Sequence, residues 1–156
     1  MADSDLAGSD LKVVQAGLQH LDELTDLFDG YRQFYRQRSD KEGAKAFLHE
    51  RLSQGDSVVF IAFLEGKSAG FTQLYPTFSS VTMAQIWILN DLFVAEHARR
   101  NGVAQALLKR AASFGEETGA ARLTLTTEAS NDRAQALYEA LGWEKETAFY
   151  TYNLSI

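Results

Sequence analysis

Two adjacent polar residues, Asn90-Asp91, interrupt an otherwise apolar run from Gln85 to Val94. Such a run reads as a central, well-buried strand. Polar neighbours inside it break the alternation rule, so a bulge or a functional site is expected there. Asp91 could attract a cation electrostatically, or act as a base directly or through a water. Alternatively it caps the bulge and satisfies local backbone donors. After a polar crossover, Arg99-Arg100-Asn101-Gly102-Val103-Ala104 runs straight into a helical pattern carrying Val103, Leu107, Ala111 and Phe114. Small residues at a helix start leave several backbone N–H groups without partners, aimed at one spot and reinforced by the helix dipole. That arrangement is either a cradle for a diphosphate or an ordinary helix start with two solvated arginines. In the cradle reading, Gly102 lets the main chain come close to the ligand, Ala104 keeps the next approach open, and Arg99 or Arg100 adds charge. Further on, Ala134, Leu137, Tyr138 and Leu141 fall on one helical stripe. The Tyr138 ring is then either core packing or a general acid, since a phenol of ordinary pKa, about 10, stays protonated at neutral pH.

Other candidate chemistry fails on context. Gly66-Lys67-Ser68-Ala69-Gly70 matches the end of a phosphate-binding loop and, formally, a serine-hydrolase elbow. The phosphate loop lacks its first glycine, Ile61 standing there, and an elbow needs a strand followed by a helix. Here the segment lies between two strands and reads as a tight turn. His20, His49 and His97 are isolated from one another, so no metal site is expected. With no cysteine in the chain, disulfides, thiolate-zinc sites and a cysteine nucleophile are excluded. Fifteen Lys and Arg against 21 Asp and Glu give a net charge of -6, with no basic stripe of the kind a nonspecific nucleic-acid binder carries. The acidic balance fits a cationic partner, or solubility alone.

These groups need one scaffold, and 156 residues are enough for a single core without staples. Residues 1–10 read as a flexible N-terminal tail and residues 11–156 as one domain. The longest apolar run, Val58 to Leu64, is far short of the roughly 20 residues a bilayer span needs. With no targeting signal in the tail, a cytoplasmic location without membrane partners is expected. Val13-Val14 marks a first strand. Leu21, Leu24, Phe28, Tyr31 and Tyr35 share a helical face, and Ala44, Phe47, Leu48, Arg51 and Leu52 suggest a second helix. Ser57 to Leu64 and Ala69 to Tyr75 read as a hairpin stopped by the only proline, Pro76. A loop from Thr77 to Ala84 precedes the strand of Asn90-Asp91. Arg122 to Thr126 alternates as a strand, and Asn131 opens a helix that Gly142 closes. The aromatic, threonine-rich stretch from Trp143 to Leu154 suits one or two more strands. The expected fold is α/β, a mixed central sheet of six to seven strands flanked by about four helices.

Arg99-x-x-Gly102-x-Ala104 after a strand, with Asn131-x-x-Ala134-x-x-Leu137-Tyr138-x-x-Leu141-Gly142-Trp143 about thirty residues on, resembles the GNAT superfamily of acyl-coenzyme A N-acetyltransferases. The resemblance runs from about Lys12 to Leu154. Ile88 to Val94 looks most like the corresponding strand of spermidine/spermine acetyltransferases and related small-amine enzymes, although those polyamine enzymes carry a glutamate where this chain has Asn90. The resemblance implies a sheet splayed at strands four and five, with the pantetheine arm of acetyl-CoA between them on backbone groups of Leu92, Phe93 and Val94. One of those N–H groups would polarise the thioester carbonyl. The pyrophosphate would lie on the turn from Arg99 through Arg100, Asn101, Gly102 and Val103 to Ala104, with Gln105 as a further donor. Asn131 and Ala134 fall at cofactor-contact positions, and Tyr138 stands where the family has its general acid. Tyr31, Tyr35, Asn90 and Asp91 are the candidate substrate-binding residues. Tyr31, Phe34 and Tyr35, with Phe149 and Tyr150, could line an aromatic pocket beside the Asp91 carboxylate, which suits an organic cation. The same aromatics could instead be core or dimer-interface residues, and a homodimer is expected. The function implied is transfer of an acetyl group from acetyl-CoA, the only cosubstrate called for, to a primary amine of a small molecule, by direct attack in a ternary complex. The same residues would serve a protein or peptide N-acetyltransferase, and the same fold a noncatalytic acyl-CoA-binding regulatory module.

Overall fold

Five strands and four α-helices are found among residues 10–156, the part of the chain that the computed structural model describes. The expected tail, apart from Asp10, lies outside these residues. The chain divides into two units, one ending at Leu125 and the other comprising Thr126–Ile156.

The first unit holds the sheet. Strands β1 (Leu11–Gln15), β2 (Val58–Leu64), β3 (Lys67–Ser79) and β4 (Ala84–Val94) lie side by side in chain order, each antiparallel to the next. Strand β5 (Leu123–Thr124) joins β4 in parallel, which makes the sheet mixed. Alternation along β2 divides its side chains between two layers. Val59 and Ile61 are buried with Phe71 against Leu24, Leu27 and Phe28 of α1 (Leu21–Phe34) and Ala44 and Leu48 of α2 (Lys41–Gln54). Phe60, on the opposite face, meets Phe114 of α3 (Val103–Glu117) at 5.5 Å between ring centroids. The apolar stripe of α3, Val103, Leu107, Leu108 and Ala111, is fully buried. Each large side chain so buried contributes about 1.5–3 kcal/mol. Asp40 starts α2 by accepting from the Gly43 N–H at 2.9 Å.

Two expectations are corrected here. Pro76 does not stop β3, which continues to Ser79 with Pro76 opposite Trp87, and the connection shrinks to a turn over residues 80–83. Pairing with β2 ends at Leu74, so Pro76 lies where β3 has a neighbour on one side only, a place where a missing N–H is tolerated. The sheet also has five strands, not six to seven. The stretch from Trp143 to Leu154 forms no strand, and Phe149, Tyr150, Tyr152 and Leu154 are exposed. Aromatic and threonine content expresses a preference for a pleated, half-buried surface, and yields a strand only where a partner is paired.

The second unit is built on α4 (Asp132–Ala140). Asn131 caps its start, accepting from the Ala134 N–H at 3.1 Å. At its end Gly142 takes a left-handed conformation, φ 96°, while Trp143 N–H donates to Tyr138 O and Gly142 N–H to Glu139 O. That double bond pattern is the usual glycine helix stop, and the Tyr138–Trp143 ring contact at 6.1 Å accompanies it. No helix among the described residues is long and apolar enough to cross a membrane.

Candidate active site

The expected irregularity at Asn90-Asp91 is a bulge. Gln73 pairs with Asp91 and the next β3 residue, Leu74, pairs with Leu89, so Asn90 is the extra residue on β4. Asn90 consequently points to solvent while Asp91 is turned into the protein, 5% exposed. Polar neighbours hold the carboxyl in place. Gln73 Nε2 donates to Oδ2 at 2.8 Å, Asn90 Nδ2 donates to Oδ1 at 3.0 Å, and the Thr72 hydroxyl donates to the Asp91 carbonyl at 2.8 Å. Burial pushes this carboxyl above the usual aspartate range, and hydrogen bonds from Gln73, Tyr31 and Asn90 work against the shift.

Helix α1 supplies the aromatic wall. Tyr31 sets its hydroxyl 3.5 Å from Asn90 O and meets Tyr35, Phe71 and Phe93 edge-on at 5.2, 5.7 and 6.2 Å. Gly30 makes the close approach possible, since a Cβ there would lie 3.3 Å from the Phe93 ring. Tyr75, half-buried on β3, has its phenol pushed up to about 12, first by burial and then by the Asp91 charge, and Tyr31 is raised further for the same reasons. Both phenols therefore stay protonated beside Asp91. The structure thus brings together Tyr31, Tyr35, Asn90 and Asp91. Phe34 joins the group through Tyr35, while Phe149 and Tyr150 belong to the second unit and are exposed.

The loop after α1 is fixed from below. Buried Asp29 accepts from the Ser39 hydroxyl at 2.6 Å, Gln33 Nε2 at 3.0 Å and the Asp40 N–H at 2.7 Å. Those bonds tie the segment carrying Tyr35 to α1.

Beyond the bulge, β4 offers an open edge. Its pairing with β5 is limited to Trp87–Leu123 and Ile88–Thr124. The Ala95 N–H donates to Ala69 O, so by alternation Phe93 exchanges backbone bonds with Phe71 while Leu92 and Val94 turn theirs to the other edge. A short 3-10 turn (Glu96–Ala98) then leads to the segment from Arg99 to Gly102. Arg100 and Gly102 both have positive φ, 67° and 76°, and Asn101 Nδ2 ties the turn by donating to the carbonyls of Ala98 and Arg99. Gly102 is the N-cap of α3 and no side chain caps the helix, so the N–H groups of Val103, Ala104 and Gln105 lack intrahelical partners. A left-handed residue beside helical ones turns successive amides to one side, as in anion-binding nests. Open space surrounds a Cβ built on Gly102, so the positive φ, rather than packing, favours glycine there. Arg99 and Arg100 are exposed, with Arg99 Nε 3.3 Å from Val94 O. In the second unit, Asn131 and Ala134 meet in the helix cap and Tyr138 lies in the last turn of the helix.

Ser57, Thr72, Gln73 and Tyr75 were not among the candidate residues. A signal existed: Thr72-Gln73 interrupts β3 as Asn90-Asp91 interrupts β4, and Gln73 of the first is the register partner of Asp91 in the second. No group of three or more potential ligands that could hold a metal occurs among the described residues.

A mixed sheet with an open β4 edge, followed by an uncapped helix start on a left-handed turn, is the arrangement that the resemblance to acyl-coenzyme A transferases implies. The sequence agrees over most of its length, and the chain belongs to the GNAT family of acetyltransferases, whose family model matches residues 21–143. It is similar to an uncharacterized N-acetyltransferase of Bacillus subtilis, 48% identical over 146 residues, 94% of this chain and 98% of that one. It is also similar to the crystal structure of a probable acetyltransferase, with TM-score 0.88 and 43% identity over 93% of this chain and 97% of that one. A more distant relative, the thialysine N-epsilon-acetyltransferase of Caenorhabditis elegans, is 23% identical over 92% of this chain and 91% of its own length. The protein is therefore an N-acetyltransferase of the kind that uses acetyl-CoA.

Proposed function

We propose that the protein acetylates a primary amine of a small, cationic molecule by direct attack on acetyl-CoA in a ternary complex, within one transferase domain spanning residues 11–156. The observation that carries this reading is the buried Asp91 carboxylate beneath the aromatic group of Tyr31, Tyr35 and Tyr75. A protonated amine gains there from both the charge and the ring faces. The thialysine enzyme among the relatives is named for an amine on a small amino acid, which accords with this substrate class.

Acetyl-CoA supplies the acetyl thioester. Its pyrophosphate fits the Arg99–Ala104 turn, with the N–H groups of Val103, Ala104 and Gln105 as donors and Arg99 and Arg100 adding charge. The pantetheine arm fits the open edge at Leu92 and Val94, and one of those N–H groups serves as the donor to the thioester oxygen as negative charge develops on it. Phe93, its own backbone engaged with Phe71, contributes its ring to the acceptor wall. Asp91, directly or through a water, takes the proton that the amine must lose before its lone pair can attack. The C–N bond forms as the C–S bond breaks. Tyr138, at the family's acid position, gives its phenolic proton to the departing sulfur, and Asn131 and Ala134 contribute to cofactor contact. A homodimer acting in the cytoplasm completes the proposal.

The test is a coenzyme A thiol-release assay with a panel of small cationic amines and a matched panel of peptides with free N-termini or lysines. Turnover with small amines and none with peptides supports the reading. Preference for peptides overturns it.

A further inference from the structure

Gln73 is wholly buried, directly opposite Asp91 on the neighbouring strand, and can reach no acceptor molecule itself. Its amide is nevertheless fully oriented. The Ser57 hydroxyl donates to Oε1 at 2.9 Å, and Nε2 donates to Asp91 Oδ2 at 2.8 Å. Ser57, immediately before β2, is itself buried, so the three side chains form a continuous buried chain that ends at the carboxylate. A primary amide is polar end to end, and its direction here matters. Turned round, Oε1 would face Oδ2, two acceptors without a proton between them unless the carboxyl were protonated. As found, the amide offers its N–H to a carboxyl oxygen, a bond that is stronger to the ionised form. Thr72 anchors the backbone of the same residue from the same strand, so the carboxylate has little freedom to rotate away.

We propose that Ser57 and Gln73 are positioning residues that hold the Asp91 carboxylate ionised and aimed at the acceptor amine. The inference rests on the reading that Asp91 meets that amine. It goes beyond that reading in assigning the control of Asp91 to two residues that never touch substrate. A buried carboxylate stripped of water reverts to its neutral acid unless donors replace the lost hydration. Gln73 is such a donor and Ser57 fixes which way it points. The titratable groups near Asp91 include Tyr31 from α1 and Tyr75 on β3, and Arg51 from α2 and Asp56 act on Tyr75 in turn. Both phenols remain neutral across the range in which a carboxyl ionises, so neither supplies a competing titration there.

The experiment follows the Asp91 side-chain carboxyl by carbon NMR against pH in the ligand-free protein, alongside kcat/KM against pH with the best amine. Gln73→Met keeps the length of the side chain but removes the donor. Its Asp91 midpoint is expected to rise by about one pH unit or more. Ser57→Ala is expected to raise it by less, and Ser57→Thr, which keeps the hydroxyl, to leave it at the wild-type value. The acid limb of kcat/KM is expected to move by the same amounts. An unchanged or lowered midpoint in folded Gln73→Met overturns the inference. If that variant does not fold, equal midpoints in Ser57→Ala and Ser57→Thr overturn it. Should the NMR midpoints move while the kinetic limb stays fixed, the positioning of the carboxylate is supported and the role of Asp91 toward the amine is what fails.

Discussion

Gly70 of β3 lies so close to Phe93 of β4, one step along the ladder from its own partner, that a Cβ added to Gly70 would lie 2.6 Å from Phe93 O, with Val103 Cγ1 at 3.1 Å and Leu107 Cδ1 at 3.4 Å. Strand β4, whose far edge is proposed for the pantetheine arm, and the helix start proposed for the pyrophosphate therefore meet over one missing methyl group. Gly70→Ala must push β4 and α3 apart, because a backbone oxygen cannot swing aside. A loss of about 1–3 kcal/mol in stability is expected, together with weaker acetyl-CoA binding. Thermal unfolding and ligand titration check both, and a variant with wild-type values in each would show that the contact is not constraining.

Asp29 should act through the fold rather than the chemistry. The Ser39 hydroxyl bond, then the Asp40 N–H and the nearby Lys41 and Arg32 charges, hold its carboxyl below the usual aspartate range against the opposing effect of burial. A group whose folded pKa lies below its unfolded value adds stability above the unfolded value and loses it as pH falls through the folded one. Asp29→Asn is thus expected to cost about 1–3 kcal/mol at neutral pH. Its deficit relative to wild type should shrink below about pH 3.9, the ordinary aspartate value. Denaturant melts at the two pH values measure it, and a deficit independent of pH would argue against the ionised form.

Much of this was legible in the sequence because it depends on local rules. Polar residues inside an apolar run announced the bulge at Asn90-Asp91, and Asn131 and Gly142 announced the ends of α4. The pairings across the sheet were less legible. Gln73 became meaningful only when the register set it opposite Asp91, a partner 18 residues away. Pro76 looked like a stop because a single sequence does not reveal that β2 ends two residues earlier in the ladder. The stretch after Trp143 has the composition of a strand without a ladder partner, and composition alone cannot supply one.

Tyr138→Phe removes the proton that would go to the departing sulfur and keeps the ring that packs beside Trp143. Turnover should fall about 100-fold or more, with acetyl-CoA affinity and thermal stability close to wild type. Unchanged turnover would assign Tyr138 to packing alone.

The pH dependence of kcat/KM should carry the signature of a desolvated carboxyl. Burial raises the Asp91 pKa, and only the ionised form can hold the amine or take its proton, so activity should rise with pH through a midpoint above about 3.9. The stability sign is opposite to that of Asp29. A raised folded pKa gives a contribution that is fully present below the unfolded value and lost as pH rises through the folded one. A rate profile already flat below pH 4 would mean that Asp91 is not the group controlling the reaction.

Acetylation of a small cationic amine against Asp91 should make Asp91→Asn deficient in steady-state kinetics with the best small amine. A fall in kcat/KM of about 100-fold or more is expected, with acetyl-CoA affinity retained. Wild-type kcat/KM in the folded variant would contradict it.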